Sequence, residues 1–237
     1  MADPRAIPAP KPSTRAEIGG VLRGLVGLPR LALDWRSLPR PAATTARPVL
    51  VVPGFMTGDP ATAVLRAFLT GLGHPTYGWG LGRNRGDLRK LLPVFDRRLH
   101  EIAERHGQPV ELVGWSLGGV IARESTRARP EAVAGIVTMG TPVIGGPKYT
   151  ASAADYRRRG FDLDELERQV AARNAEVLPV PITAIYSKRD GIVSWQACID
   201  PNPDNRVEHV EVDVEHAELG FSPTVLRLVA ACLATRP

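Results

Sequence analysis

The chain has 237 residues, 43% of them hydrophobic and 23% charged, with 23 glycines, 22 prolines and a net charge of +5. That composition excludes collagenous, coiled-coil and wholly disordered chains, and the length favours one large domain able to bury about 70% of its unfolded surface without a metal or disulfide staple. The charge is unevenly placed: residues 1–47 hold eight Lys/Arg and three acids, leaving 22 of each sign in residues 48–237. A neutral body argues against a nucleic-acid partner, which would need a basic face on the fold itself.

Residues 1–47 also contain seven prolines. The run from Ala2 to Pro12 is expected to be a tail of low apolar content. Thr14 and Glu17 have capping-box spacing, and Ile18, Val21, Leu22, Leu25 and Val26 recur at helical intervals up to Pro29, predicting one amphipathic helix. Arg23 breaks its apolar run, so it reads neither as a signal peptide nor as a membrane span. Docking of its apolar face on the main domain is the first expectation. Peripheral contact of residues 14–36 with a membrane or lipid surface, fringed by Arg15, Arg23 and Arg30, is the second. The compartment expected is the cytoplasm, and the oligomeric state is left open.

From Pro48 onward short apolar runs alternate with amphipathic segments. Strand 48–52 is continuous in apolar residues, as for a strand buried on both faces, and ends at Pro53-Gly54. A helix over 59–72 follows, then a strand near 74–79 and a glycine-rich loop over 78–86. The pattern continues with a helix over 87–106, strand 110–113, helix 117–127 and strand 133–139. Strands 182–186 and 207–214 and a helix over 222–234 complete it. Strands interleaved with helices predict an α/β architecture with a mostly parallel sheet, whose reactive groups gather where strands end at the carboxyl edge.

At that edge, strand 110–113 runs into Gly114-Trp115-Ser116-Leu117-Gly118, a G-x-S-x-G turn followed at once by helical residues. Glycines two before and two after a serine remove Cβ clashes from a very tight turn, which presents the hydroxyl as a nucleophile. Such a serine needs a base, and the base needs an orienting acid. His216 follows the last strand and is the candidate base. His100 and His106 fall on or at the end of a helix, His74 in a turn, and His209 on the solvent face of strand 207–214. Asp190, at the carboxyl end of strand 182–186 before Gly191, is the candidate acid; Asp200 and Asp204 read as turn residues and Asp213 as a strand residue. An oxyanion hole requires two backbone N–H groups. Leu117 follows the nucleophile, and Phe55 follows Gly54, with Met56 as the alternative donor. Met56, Trp79, Trp115 and Trp195 lie beside these loops and are candidate pocket walls. Cys198 and Cys232 lack metal-ligand spacing and read as buried side chains, with a disulfide between them as the alternative.

Together the segments 48–55, 78–86, 110–124, 138–146, 185–195 and 211–220 resemble the α/β-hydrolase superfamily, in particular small bacterial hydrolases of esterase or lipase type. The order Ser116, Asp190, His216 matches that of the superfamily. The resemblance spans about 48–233 and implies an α/β-hydrolase fold with a short cap insertion over about 145–179. It also implies cleavage of an ester substrate through an acyl-enzyme, with no metal or cofactor. An acyltransferase, a thioesterase, or a non-catalytic lipid-surface or interaction module are the alternatives. Two positions depart from the common pattern: Pro53 replaces the usual histidine, and Glu215 stands beside the base, where its charge is expected to perturb it.

Overall fold

The computed structural model describes residues 7–10, 19, 22, 26, 29 and 46–235. Of the helix expected near 14–29, Gly19, Leu22, Val26 and Pro29 are helical, with the Leu22 and Val26 side chains exposed; its other residues lie outside the described set.

Six strands form one sheet: β1 (Val49–Val52), β2 (Thr76–Gly78), β3 (Val110–Trp115), β4 (Val133–Met139), β5 (Ile182–Tyr186) and β6 (Val207–Glu211). Their order is β2-β1-β3-β4-β5-β6 and every pairing is parallel. Parallel neighbours require crossovers, and the helices that supply them cover both faces. Helix α1 (Ala63–Leu72) and the last helix, α6 (Pro223–Thr235), lie on one face; α2 (Leu88–His106) and α3 (Leu117–Ala128) lie on the other.

Strand alternation divides the core in two. Val49, Val51, Val113, Trp115 and Met139 point to the α1/α6 side, where Leu65, Leu69, Val225 and Val229 meet them. Leu50, Val52, Leu112 and Ile136 point to the α2/α3 side, against Phe95, Leu99 and Ile121. All four residues of β1 are fully buried. Each such Val or Leu contributes about 1.5–3 kcal/mol of apolar burial, so the centre of the sheet is a stiff platform for the loops at its carboxyl edge.

Two of the strand ends that differ from expectation shape the loops at the carboxyl edge. Strand β3 runs on to Trp115, pairing with Met139, so the next residue leaves the sheet abruptly. Strand β6 stops at Glu211 because β5 has ended: Val212 still donates to the Tyr186 carbonyl, but no ladder partner remains for 213 and 214. Val212 and Val214 are nonetheless buried.

Between β4 and β5 the segment expected to form a cap contains α4 (Ala153–Arg158) and α5 (Leu163–Asn174). The side chain of Asp162 caps α5 by accepting from the N–H groups of Asp164 and Glu165. Helix α5 is largely solvated, fastened by Lys148 and Tyr149 to Glu167 and by Asn174 to the Val143 carbonyl. Cys198 and Cys232 are not joined in a disulfide, and burial pushes the Cys198 thiol well up. No helix among the described residues is long and apolar enough to cross a membrane.

Candidate active site

The turn after β3 holds Ser116 in a strained backbone conformation. Ser116 has φ 54° and ψ −122°, a positive-φ conformation that costs a non-glycine residue free energy and is kept only where the surroundings enforce it. Enforcement is visible on both sides. The Ser116 N–H donates to the Met139 carbonyl of β4, and its own carbonyl accepts from the Thr141 hydroxyl at 2.9 Å. Gly114 lies against the backbone of Gly118 and Gly119, and Gly118 against the carbonyl of Val52, leaving no room for a Cβ at either. The G-x-S-x-G spacing is therefore a packing requirement of strand, turn and helix together.

Asp190 and His216, distant in sequence, are brought together. Asp190 lies in the loop after β5 and His216 opens a short turn after β6; His216 Nδ1 and Asp190 Oδ2 are 2.6 Å apart and both residues are buried. The other carboxylate oxygen, Oδ1, accepts from the N–H groups of Ile192 and Val193 at 2.8 and 2.7 Å. An ionised carboxylate only accepts, so the proton shared with it sits on Nδ1, and in a neutral imidazole Nε2 is then the nitrogen with the lone pair, the arrangement a general base needs. The Ser116 hydroxyl makes no hydrogen bond to His216 in this structure; the indole of Trp115, next to the serine, lies 6.0 Å from the imidazole, centroid to centroid.

Phe55 and Leu117 are the expected oxyanion donors, with Met56 as alternative. The structure removes the alternative: the Met56 N–H donates to the Asn84 carbonyl at 2.7 Å. The N–H groups of Phe55 and Leu117 have no acceptor among the described residues, and Gly54 lies against Ser116. Leu117 adjoins the serine in sequence, and Phe55 adjoins Gly54, which packs against it.

The pocket candidates separate. Trp115 lies beside His216, with its side chain buried in the α1/α6 core. Trp79 is not at the site: its side chain is fully buried in the α2/α3 core, and its indole N–H donates to the Gly82 carbonyl. Trp195 stacks on Tyr186 with Lys188 over its ring. Met56 is 48% exposed beside the oxyanion loop. The segment between β4 and β5 reaches Phe55 through α4. Tyr156 packs on Phe55 with ring centroids 5.5 Å apart, and the Arg159 guanidinium stands over the rings of Phe55, Tyr156 and Phe161.

Four residues carry no signal in the sequence that would single them out. Asn84 is fully buried and ties the oxyanion loop, donating from Nδ2 to the Pro53 carbonyl at 2.9 Å. Gly140, with φ 56°, passes Asp190 and His216 so closely that a Cβ there would stand 3.0 Å from both Asp190 Oδ2 and His216 Nδ1. Arg189 answers the concern about Glu215: its Nη2 and Nε lie 2.6 and 3.1 Å from Glu215 Oε1, so the carboxylate beside the base is charge-paired. Glu215 also forms a reciprocal capping box with Glu218. The fourth is Arg123 of α3, whose Nη1 meets Asp200 at 2.6 Å with both side chains buried; Asp200 is a buried ion-pair partner and not simply a turn residue.

No protein-family model and no curated protein sequence matches the chain. Solved structures do. One described as LipS and LipT, two metagenome-derived lipolytic enzymes, superposes with a TM-score of 0.62 at 15% identity, covering 83% of this chain and 96% of that one. The thioesterase domain from the curacin biosynthetic pathway gives 0.59 at 14% identity, covering 83% and 93%. The monoacylglycerol lipase of Paleococcus ferrophilus gives 0.58 at 14% identity, covering 84% and 97%. With a six-stranded parallel sheet, helices on both faces and a strained serine at the end of β3, the chain has the α/β-hydrolase fold.

Proposed function

We propose that the chain is a serine hydrolase that cleaves carboxylic esters through an acyl-enzyme on Ser116. One observation carries the reading: a serine held in a strained turn at the carboxyl edge of the sheet that also presents an Asp190–His216 pair with Nδ1 bonded to the carboxylate. In this reading Ser116 Oγ attacks the ester carbonyl while His216 Nε2 takes its proton. Asp190 holds the imidazolium that forms, and the N–H groups of Phe55 and Leu117 donate to the tetrahedral oxyanion. Collapse expels the alcohol, protonated by His216. Water, deprotonated by the same imidazole, then attacks the acyl-enzyme and releases the acid.

The strain at Ser116 fits this role, because a backbone that cannot relax keeps the hydroxyl in place without reorganisation during attack. A thioester passes through the same steps, and one structural neighbour is a thioesterase domain, so thioesters form the second substrate class to assay. The test is hydrolysis of p-nitrophenyl acyl esters of graded length and of acyl thioesters by wild type and Ser116→Ala, with an added alcohol acceptor. Turnover that falls at least ~10⁴-fold in the variant supports the reading. Equal rates in the two proteins would contradict it, and an acylated alcohol as main product would make the chain an acyltransferase.

A further inference from the structure

We infer that the face around the site mouth docks on an anionic lipid surface. Two segments meet there. Residues 83–90 hold four cations and one acid, and residues 155–159 hold three and one, in a body whose charges balance overall. The Arg159 Nη2 donates to the Arg85 carbonyl at 3.1 Å, which joins the cap to the glycine-rich loop and brings like charges together. Arg83, Arg85, Arg89 and Arg157 are exposed and have no carboxylate within ion-pair distance among the described residues.

Arg89 and Lys90 occupy the first turn of α2, where the helix dipole disfavours cations; Lys90 is offset by Asp87 at 3.3 Å, and Arg89 is not. Such an arrangement costs stability in the free protein and is relieved by an anion. It also lies at the carboxyl edge of the sheet, the edge that carries Ser116, because α2 begins where the loop after β2 ends.

Apolar exposure favours a lipid over an acidic protein. Met56 is 48% exposed, and its hydrogen bond to the Asn84 carbonyl places it beside the residue that separates Arg83 from Arg85. Val94, one turn after Lys90, is 37% exposed. Guanidinium groups alone serve any polyanion. A thioether among them fits a headgroup layer with acyl chains beneath it.

The test is flotation of the full chain with vesicles of phosphatidylcholine alone and of phosphatidylcholine with 30% phosphatidylglycerol. Two triple variants remove equal charge: Arg83→Gln/Arg85→Gln/Arg89→Gln at the mouth, and Arg105→Gln/Arg129→Gln/Arg206→Gln away from it. Thermal midpoints verify that both fold. At about one fivefold step per arginine near the surface, the mouth triple should lose roughly a hundredfold in partitioning to anionic vesicles, while the remote triple stays within about threefold of wild type. Wild type should leave the vesicles as salt rises. Three results would overturn the inference: no wild-type binding to anionic vesicles, equal losses in both triples, or unchanged binding by the mouth triple, which would move the contact to residues 14–36. Binding to polyglutamate but not to vesicles would assign the face to an acidic protein instead. Flotation does not depend on turnover, so its failure and that of the esterase reading are distinct.

Discussion

The amide of Asn84 donates to the carbonyl of Pro53 at 2.9 Å, and the backbone of the same residue pairs with Met56 and Thr57 on either side. One buried side chain therefore fixes the loop from which the Phe55 N–H is offered. Asn84→Ala should leave the Pro53 carbonyl buried without its donor, a loss of about 2 kcal/mol, or roughly 6 °C in Tm for a chain of this size. It should also lower kcat for ester hydrolysis more than it changes KM, because the oxyanion donor is used mainly in the transition state. Steady-state kinetics and a thermal melt measure both; a change confined to KM would contradict the assignment.

Gly140 is expected to tolerate no side chain. Its φ of 56° already disfavours alanine, and the new Cβ would press on both atoms of the Asp190–His216 hydrogen bond. Gly140→Ala should reduce turnover about a hundredfold, the scale of an ångström-size displacement at a reacting centre. Near-wild-type kcat in a folded Gly140→Ala protein would mean that the pair is not catalytic.

The cation facing the buried carboxylate of Glu215 comes from Arg189, whose other side is open to solvent. The bond to Glu215 raises the pKa of the guanidinium, so the arginine keeps its charge throughout the range in which the protein is assayed. Arg189→Ala is predicted to cost about 1–2 kcal/mol, less than a fully buried pair because water screens the arginine, and Arg189→Lys to recover roughly half. Denaturant unfolding of the two variants checks the order. Identical stabilities for Arg189→Ala and wild type would show that the pair adds nothing to the fold.

Stability should fall in mild acid because of His74. Burial lowers the pKa of this imidazole below 6.5, and the backbone of Arg47 opposes that shift only in part. The native state therefore holds His74 neutral while the unfolded chain binds a proton as pH drops. The native state is at no disadvantage above 6.5, and stability is lost as pH falls from there toward the folded-state value, with a slope of up to about 1.4 kcal/mol per pH unit. Urea unfolding of wild type and His74→Leu at pH 7.5, 6.0 and 5.0 tests it. The variant should lose less between pH 7.5 and 5.0; parallel losses would assign the acid sensitivity to other groups.

Much of this arrangement is legible in the sequence because it rests on local patterns. The run 48–52 announces a strand buried on both faces, and a strand ending in G-x-S-x-G before helical residues announces the turn at Ser116. Asp190 and His216 stand out from their competitors because strand ends in a parallel sheet point loops to one edge. The illegible parts depend on contacts between distant segments. Neither Asn84 reaching Pro53 nor Arg123 reaching Asp200 leaves any periodic trace, since each is fixed by the path of a loop and not by a strand or helix period. Trp79 misleads for the same reason: it adjoins the glycine-rich loop in sequence, yet its ring turns inward among Leu50, Val52 and Phe95. The contact of the 145–179 segment with Phe55 comes from Tyr156 of α4, which no helical period singles out.

As an activated nucleophile, Ser116 should react with a phosphorus electrophile in the folded protein. Intact-mass measurement of the folded protein after exposure to a fluorophosphonate tests it most directly, alongside Ser116→Ala and His216→Ala. One phosphonyl adduct is expected on wild type, none on Ser116→Ala, and labelling slowed by several orders of magnitude in His216→Ala. A folded wild-type protein that takes up no label, or one that labels equally well without Ser116, would contradict it.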